Sequence, residues 1–445
     1  MNDTGGGSKT RPGPIAFDEA LSRLLSRALP VGGIEQVPTL DADGRVLAEA
    51  VVSALSVPSW DNSQMDGYAV RCSDLAASAE GGGPAVLRVS QRIAAGHTGL
   101  PLEAGTVARI FTGAAIPPGA DAVVMQEQAV ETGADESGSM QVSFSHRPQA
   151  GEWIRREGED IQAGQTILPV GTRLTPQASG LAASVGAATL MVFRRIRVAC
   201  FFTGDELVMP GEPLAPGAIY NSNRFLLTAL LRRIGCDVVD LGIIGDNFEA
   251  TRAALRDAAA QADLIVTSGG MSVGEEDHVR PAVLAEGELQ MWQIAIKPGK
   301  PLAYGRVRRG EQGAGEGGEN GIEAGTRTAA AAAHFIGLPG NPVSSFVTFA
   351  LFVKPFVLGL QGVARLEPSR LRLTADFDWP RPDRRREFLR VRVDPGTGHL
   401  ELFPNQGSAV LISTVYGDGL LDNPADQPIR RGDVVTYLPF SDLLN

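Results

Sequence analysis

The stretch "DLIVTSGGMSVGEEDHV", Asp263–Val279, runs from an apolar segment through a glycine pair into a cluster of acids. A short segment apolar on both faces is the pattern of a strand buried inside a parallel sheet. The same grammar occurs twice upstream, in "RVACFFTGDEL" (Arg197–Leu207) and "CDVVDLGIIGDN" (Cys236–Asn247). Between these segments lie "NRFLLTALLRRIG" (Asn223–Gly235) and "DNFEATRAALRDAAAQA" (Asp246–Ala262), both with helical character. Strands alternating with helices predict a parallel α/β sheet. Asn223 is the expected N-cap of the first helix and Gly235 its C-terminal stop.

In such sheets, ligands sit outside the carboxyl ends of the strands. Three ends therefore carry candidate residues: Thr203, Gly204, Asp205 and Glu206; Gly245 and Asp246; and Ser268, Gly269, Gly270, Ser272, Gly274 and Asp277. Glycine lets backbone N–H groups approach an oxyanion. Carboxylates beside a phosphate seat suit Mg²⁺, which relieves the repulsion between anions. The pattern points to an anionic, phosphorylated ligand with a divalent ion. Other readings stay open: Asp246 with Glu249 has capping-box spacing, and Asp277 can cap the next helix. "IKPGKP" adds Lys297 and Lys300 around a Pro-Gly turn. "GLPGNPVSS" puts Pro339, Gly340, Asn341 and Pro342 before a helix, where an N-terminus favours anions.

Length and composition set the frame. The 445 residues suggest about three domains. A hydrophobic fraction of 43% supports buried cores, and a net charge of -11 argues against broad nucleic-acid binding. Cys72, Cys200 and Cys236 form no CxxC pair, which suits a reduced, cytoplasmic setting. The start, "MNDTGGGSKTRPGP", has no apolar h-region and reads as a flexible leader. Phe346–Leu360 is interrupted by Lys354 and Pro355 and reads as a buried helix, so no membrane span is expected. Ile15–Leu29 reads as an amphipathic helix, and residues 61–149 as a small β-module. Arg308–Ala333, rich in Gly, Glu and Ala, reads as a mobile surface loop. The last 80 or so residues return to short alternating runs, as in a β-domain. No G-x-G-x-x-G, Walker or G-x-S-x-G motif is found.

The phrases "DNSQMDGYAV", "RIFTGAAIPPGADAVVMQE", "IRREGED", "TGDEL", "IYNSNR", "TSGGMSVGEED", "IKPGKP" and "GLPGNPVS" occur in this order along nearly the whole chain. Together they resemble the molybdopterin molybdenumtransferase family, which includes MoeA and the gephyrin E-domain. That resemblance implies a multidomain α/β plus β protein. A discontinuous linker domain would use residues 15–60 and 151–193, and an inserted β-domain residues 61–150. A molybdopterin-binding α/β domain would span 194–362, and a C-terminal β-barrel-like domain 363–445.

The resemblance further implies a homodimer with a composite active site. The substrates are molybdate and adenylylated molybdopterin, and Mg²⁺-dependent hydrolysis releases AMP. It carries catalytic positions onto Asp66, Thr112, Asp160, Glu206, Asp246, Asp277 and Lys297, with Glu206, Asp246 and Asp277 as metal ligands. It implies contact with the upstream adenylyltransferase and with downstream molybdoenzyme factors. Some members have a lysine after the tryptophan of "MWQIAIK"; this chain has Gln293 and one fewer cation for molybdate. The alternatives are a molybdopterin adenylyltransferase, normally one compact domain, and a non-catalytic scaffold or carrier.

Overall fold

A computed structural model describes residues 14–78, 83–136, 138–270, 278–299, 301–310 and 331–445. Ser272, Gly274, Asp277, Lys300 and residues 311–330 of the expected loop lie outside them. Among the described residues, the centre of the chain forms a six-stranded sheet. Its strands are β1 (Arg197–Thr203), β2 (Asp237–Ile244), β3 (Leu264–Ser268), β4 (Gly287–Gln293), β5 (Pro301–Arg308) and β6 (Ala332–Leu338). Their order across the sheet is β2-β1-β3-β6-β5-β4. Alternate residues of β1 face opposite ways. Val198, Cys200 and Phe202 pack toward α1 (Ser222–Arg233) and α4 (Pro342–Leu360). Ala199 and Phe201 pack toward α2 (Phe248–Gln261) and α3 (Val279–Glu286).

The expected parallel pairing holds for β2, β1, β3 and β6. β4 and β5 run antiparallel, and so do β5 and β6. Only residues 294–300 separate β4 from β5, whereas a parallel return needs a crossover of about a dozen residues or more. Arg308 stands opposite Ala332, so Arg308, Ala332 and Ala333, expected within the loop, belong to paired strands. Two helix starts also differ from expectation. Asn221, not Asn223, caps α1 by accepting from Arg224 N. Asn247, not Asp246, caps α2 by accepting from Ala250 N.

α4 is 19 residues long and apolar enough to cross a membrane, but its apolar window is 100% buried in the protein. Its middle, Phe349–Val353, is π-helical. Pro355 explains this. It has no N–H to donate, and its ring crowds the carbonyl four residues back, which the wider turn relieves.

The two linker pieces pair across the insertion. Ile34–Pro38 lies on Thr189–Phe193, Val51–Val52 on Thr166–Leu168, and Asn62–Ser63 on Ile154–Arg155. Between them, among the described residues, a six-stranded sheet runs from Gly67–Val70 to Met140–Phe144 in sequence. The first helix, Phe17–Leu25, was expected in the linker. It instead buries Phe17, Ala20 and Leu24 in the α/β core, with the Phe17 ring 5.1 Å from Phe352 and 5.3 Å from Phe388. Arg386–Val393 organises the C-terminal sheet, whose buried strand Gly419–Asn423 had no alternating signal. Ile296–Lys297, expected in the α/β unit, pairs with Arg386–Glu387 at the edge of that C-terminal sheet.

Asp263 joins linker to sheet. It is 5% exposed and accepts from Arg194 Nη1 and Nη2 at 2.8 Å each and from Arg197 N at 3.0 Å. Burial pushes its carboxyl upward. The Arg194 hydrogen bonds, the Arg197 amide and the charges of Arg194 and Arg309 more than reverse this, holding it below the ordinary carboxylate range. A depressed folded-state pKa means this stabilisation is present above the unfolded value and is lost as pH falls through the folded one. Asp263→Ala is expected to cost about 3 kcal/mol in urea unfolding at neutral pH, because it strands a partly buried arginine. The difference from wild type should shrink as the pH is taken down through the acid range.

Candidate ligand site at the strand ends

β1 leads to α1 on one side of the sheet, while β3 leads away on the other, so a crevice opens between their carboxyl ends. Thr203 and Ser268 close those ends, and each is 3% exposed. The glycine turn sits directly on Thr203. A Cβ at Gly269, where φ is +105°, would lie 2.6 Å from Thr203 O. A Cβ at Gly270 would lie 3.1 Å from Thr203 Oγ1 and 2.5 Å from a Val279 methyl. Only glycine permits both this backbone and this approach.

The "LPGNP" turn is tied to the same place. Ser268 Oγ donates to Pro339 O at 2.9 Å, and Ser345 Oγ donates to the same carbonyl. Asn223 Nδ2 reaches Ser268 Oγ at 2.8 Å and Gly340 O at 2.7 Å. Asn223 is thus a site residue that sequence reading missed. Assigning it to the helix cap concealed that, two residues past the true cap, its side chain faces the crevice. Gly340 and Asn341 are exposed at the start of α4, where the helix dipole favours an anion. Asn341 Nδ2 also donates to Ser408 Oγ at 3.2 Å, bringing the C-terminal domain to the turn.

Two buried atoms here, Thr203 Oγ1 and Asn223 Oδ1, have no hydrogen-bond partner among the described residues. Leaving such atoms unmet costs about 1–3 kcal/mol each, so both favour a polar partner at the crevice. Glu206 lies exposed in the turn closed by Leu207 N to Gly204 O at 3.0 Å, with its carboxylate folded over Gly204. Asp205 is exposed beside it. Asp246 is half-buried after β2, whose Ile244 aligns with Thr203. Thus Glu206 and Asp246 follow adjacent strands. Among the described residues, no group of three His, Cys, Asp or Glu side chains forms a metal cage. Two hard carboxylates are a normal protein share for Mg²⁺, which takes its other ligands from water and phosphate.

Lys297 is placed differently. Its ammonium pairs with Glu387 at 3.2 Å and Asp383 at 3.5 Å. Glu387 is fully buried and also accepts from Trp379 Nε1 at 2.8 Å, so Lys297 is the counter-ion of a buried carboxylate. The following turn nonetheless lies on α4, because a Cβ at Gly299 would meet Thr348 Oγ1 at 2.7 Å.

In the inserted domain, Gly67–Val70 pairs with Thr106–Ile110, which brings Asp66 and Thr112 together. Thr112 N and Thr112 Oγ1 both donate to Asp66 Oδ1 at 2.8 Å. These two bonds, with the nearby Arg109 charge, hold the exposed Asp66 carboxyl below its ordinary range. Asp160 lies on a neighbouring loop, its N–H bonded to Val57 O at 3.0 Å. That loop is fastened by Arg156 to Asp61 at 2.6 Å.

Two predictions follow from this geometry. Thr112→Val should move the Asp66 pKa upward toward the ordinary carboxylate value in an NMR titration. Gly269→Ala should destabilise the protein by more than about 1 kcal/mol in chemical denaturation.

Comparison with known proteins agrees with the architecture. Residues 15–186 match the MoeA N-terminal region (domain I and II), 199–359 the "Probable molybdopterin binding domain", and 372–440 the MoeA C-terminal region (domain IV). A molybdopterin molybdenumtransferase of Haemophilus influenzae is 36% identical over 439 residues, covering 97% of this chain and 100% of that one. Molybdopterin molybdenumtransferase 2 of Mycobacterium tuberculosis is 38% identical, covering 88% of this chain and 91% of that one. The crystal structure of a molybdopterin biosynthesis MoeA protein from Pyrococcus horikoshii superposes with a TM-score of 0.77 at 26% identity, covering 96% of this chain and 100% of that one. By full-length similarity as well as by fold, the chain belongs to the MoeA family of molybdopterin molybdenumtransferases, enzymes of molybdenum cofactor biosynthesis.

Proposed function

We propose that this enzyme takes adenylylated molybdopterin and molybdate, loads the metal on the dithiolene, and hydrolyses the pyrophosphate linkage to release AMP. The observation that carries this reading is the crevice where Thr203, the Gly269–Gly270 turn, Ser268, Asn223 and the Pro339–Pro342 turn meet. Backbone N–H groups and the start of α4 suit the anionic oxygens of the linkage. Thr203 Oγ1 and Asn223 Oδ1 supply hydrogen-bonding capacity that no described residue takes up. Ser272 and Gly274 extend this binding set.

Glu206 and Asp246 are the carboxylates for the hydrolytic step, with Asp277 as the third acid. Their task is to hold and orient the attacking water while the binding turns fix the linkage. The same carboxylates would hold Mg²⁺, which when bound neutralises the phosphate oxygens. The helix start beside Asp246 is capped by Asn247, whose side chain accepts from Ala250 N. Lys297 and Lys300 supply positive charge at the anionic end, Lys297 while also countering Glu387. Asp66, Thr112 and Asp160 of a second copy would close the cleft in a cytoplasmic homodimer. The upstream adenylyltransferase and downstream molybdoenzyme factors would be its transfer partners.

The test is AMP release from adenylylated molybdopterin with and without molybdate, in Mg²⁺ and in EDTA. Molybdate-dependent release that EDTA abolishes is expected. Asp246→Ala should lower the rate by about two orders of magnitude with little change in substrate binding. Full activity of that variant would overturn its assignment. Binding without release under every condition would overturn the reaction.

A further inference from the structure

We propose that the groove between the linker domain and the back half of α4 is a separate site for one tetrahedral oxyanion of the phosphate class, held by Lys354 and Arg173. The groove has a volume of about 360 Å³, within the size range of small-molecule sites. Four parts of the chain meet there: Gly171–Arg173 from the linker, Lys354 and Leu358 from α4, residues 363–368 that follow α4, and Asp442 in the C-terminal helix.

Lys354 is only 6% exposed, yet it lines this groove. An ammonium has three protons to donate. Among the described residues, Lys354 Nζ has one acceptor, the backbone carbonyl of Asp442, and no carboxylate within ion-pair reach. The Asp442 side chain accepts from Ser369 N and acts on Lys354 as a nearby charge, without an ion pair or hydrogen bond to it among the described residues. Arg173 is half-buried beside it, and its guanidinium makes no hydrogen bond or ion pair among the described residues. Two partly desolvated like charges therefore line one groove with no ion-paired carboxylate among the described residues. Asp442 and Asp43 act on them only as nearby charges, an arrangement that an anion between them would relieve.

The electrostatics agree. Burial pulls Lys354 down to about 8, with Asp442 opposing and the Arg173 charge adding to the fall. Burial also lowers Arg173, with Asp43 pulling the other way. The remaining charged side chains at the groove are Arg365 and Glu367, both exposed on its rim. Arginine offers a planar fork that matches phosphate oxygens, and lysine a compact charge. A double negative charge suits the pair better than a single one. The site is distinct from the strand-end crevice: α4 begins at the crevice and presents Lys354 in its later half.

Isothermal titration of the full chain with inorganic phosphate, and separately with AMP, tests the assignment, using Lys354→Met and Arg173→Gln. The expected result is one phosphate-class binding event in the wild type that each substitution weakens by roughly tenfold or more. Molybdate-dependent AMP release should be unaffected by either. If AMP binds this way and inorganic phosphate does not, the site takes a phosphomonoester; if both bind alike, it takes the free ion. Lys354→Met should also keep or raise the Tm in phosphate-free buffer and lose the rise in Tm that phosphate gives the wild type. No binding of either ligand, or equal binding in wild type and both variants, would overturn the site. So would a Lys354→Met protein with a lowered Tm and unchanged affinity, since the ammonium would then be only a cap on the Asp442 carbonyl.

Discussion

Everything at the strand-end crevice depends on how β1 and β3 are brought into register, and that is decided at their opposite ends by one carboxylate. Asp263 stands at the start of β3. Its side chain takes two hydrogen bonds from Arg194 and one from the Arg197 amide. Its backbone N–H donates to Arg197 O, and its carbonyl accepts from His334 N. The starts of β1, β3 and β6 are thereby aligned around a single residue. Aligned starts give aligned ends, so Thr203 meets the glycine turn and Ser268 meets the Pro339 carbonyl. The arginine that completes the clamp, Arg194, directly follows the last linker strand, Thr189–Phe193, so the attachment of the linker and the geometry of the site share one ion pair.

Much of this was legible in the sequence because it rests on local signals. The apolar runs ending in glycine revealed β1, β2 and β3, and their shared carboxyl ends revealed where a ligand belongs. Asp66 and Thr112 were singled out only through family resemblance, and the antiparallel pairing of their strands supplies the physical reason they meet. The misreadings share a cause. Asn223 was assigned by the ordinary chemistry of helix starts, which also left a capping role open for Asp246, and in both cases a neighbouring asparagine does the capping. Gly419–Asn423 has no alternation because both its faces are buried. Lys297 was grouped with the sheet that precedes it in sequence, whereas its partners, Asp383 and Glu387, lie far along the chain. Long-range pairing of that kind leaves no periodic trace.

The domains are less separate than their sequence boundaries suggest. The first helix belongs to the α/β core, where Phe17 touches both α4 and the C-terminal strand through Phe352 and Phe388. The C-terminal domain in turn supplies Ser408 to the turn before α4 and Glu387 to Lys297. Aromatic burial holds the first contact and a buried charge the second.

The π-helical turn at Phe349–Val353 gives α4 two independent phases. In an α-helix each residue advances about 100° around the axis, so a wider turn rotates everything beyond it relative to everything before. The front half presents Ser345 to the crevice, and the back half presents Phe356 to Tyr304 and Lys354 to the interdomain groove. A regular helix with the same residues could satisfy one half only by misaiming the other. The backbone irregularity that Pro355 imposes is thus what allows a single buried rod to address two neighbourhoods facing different ways.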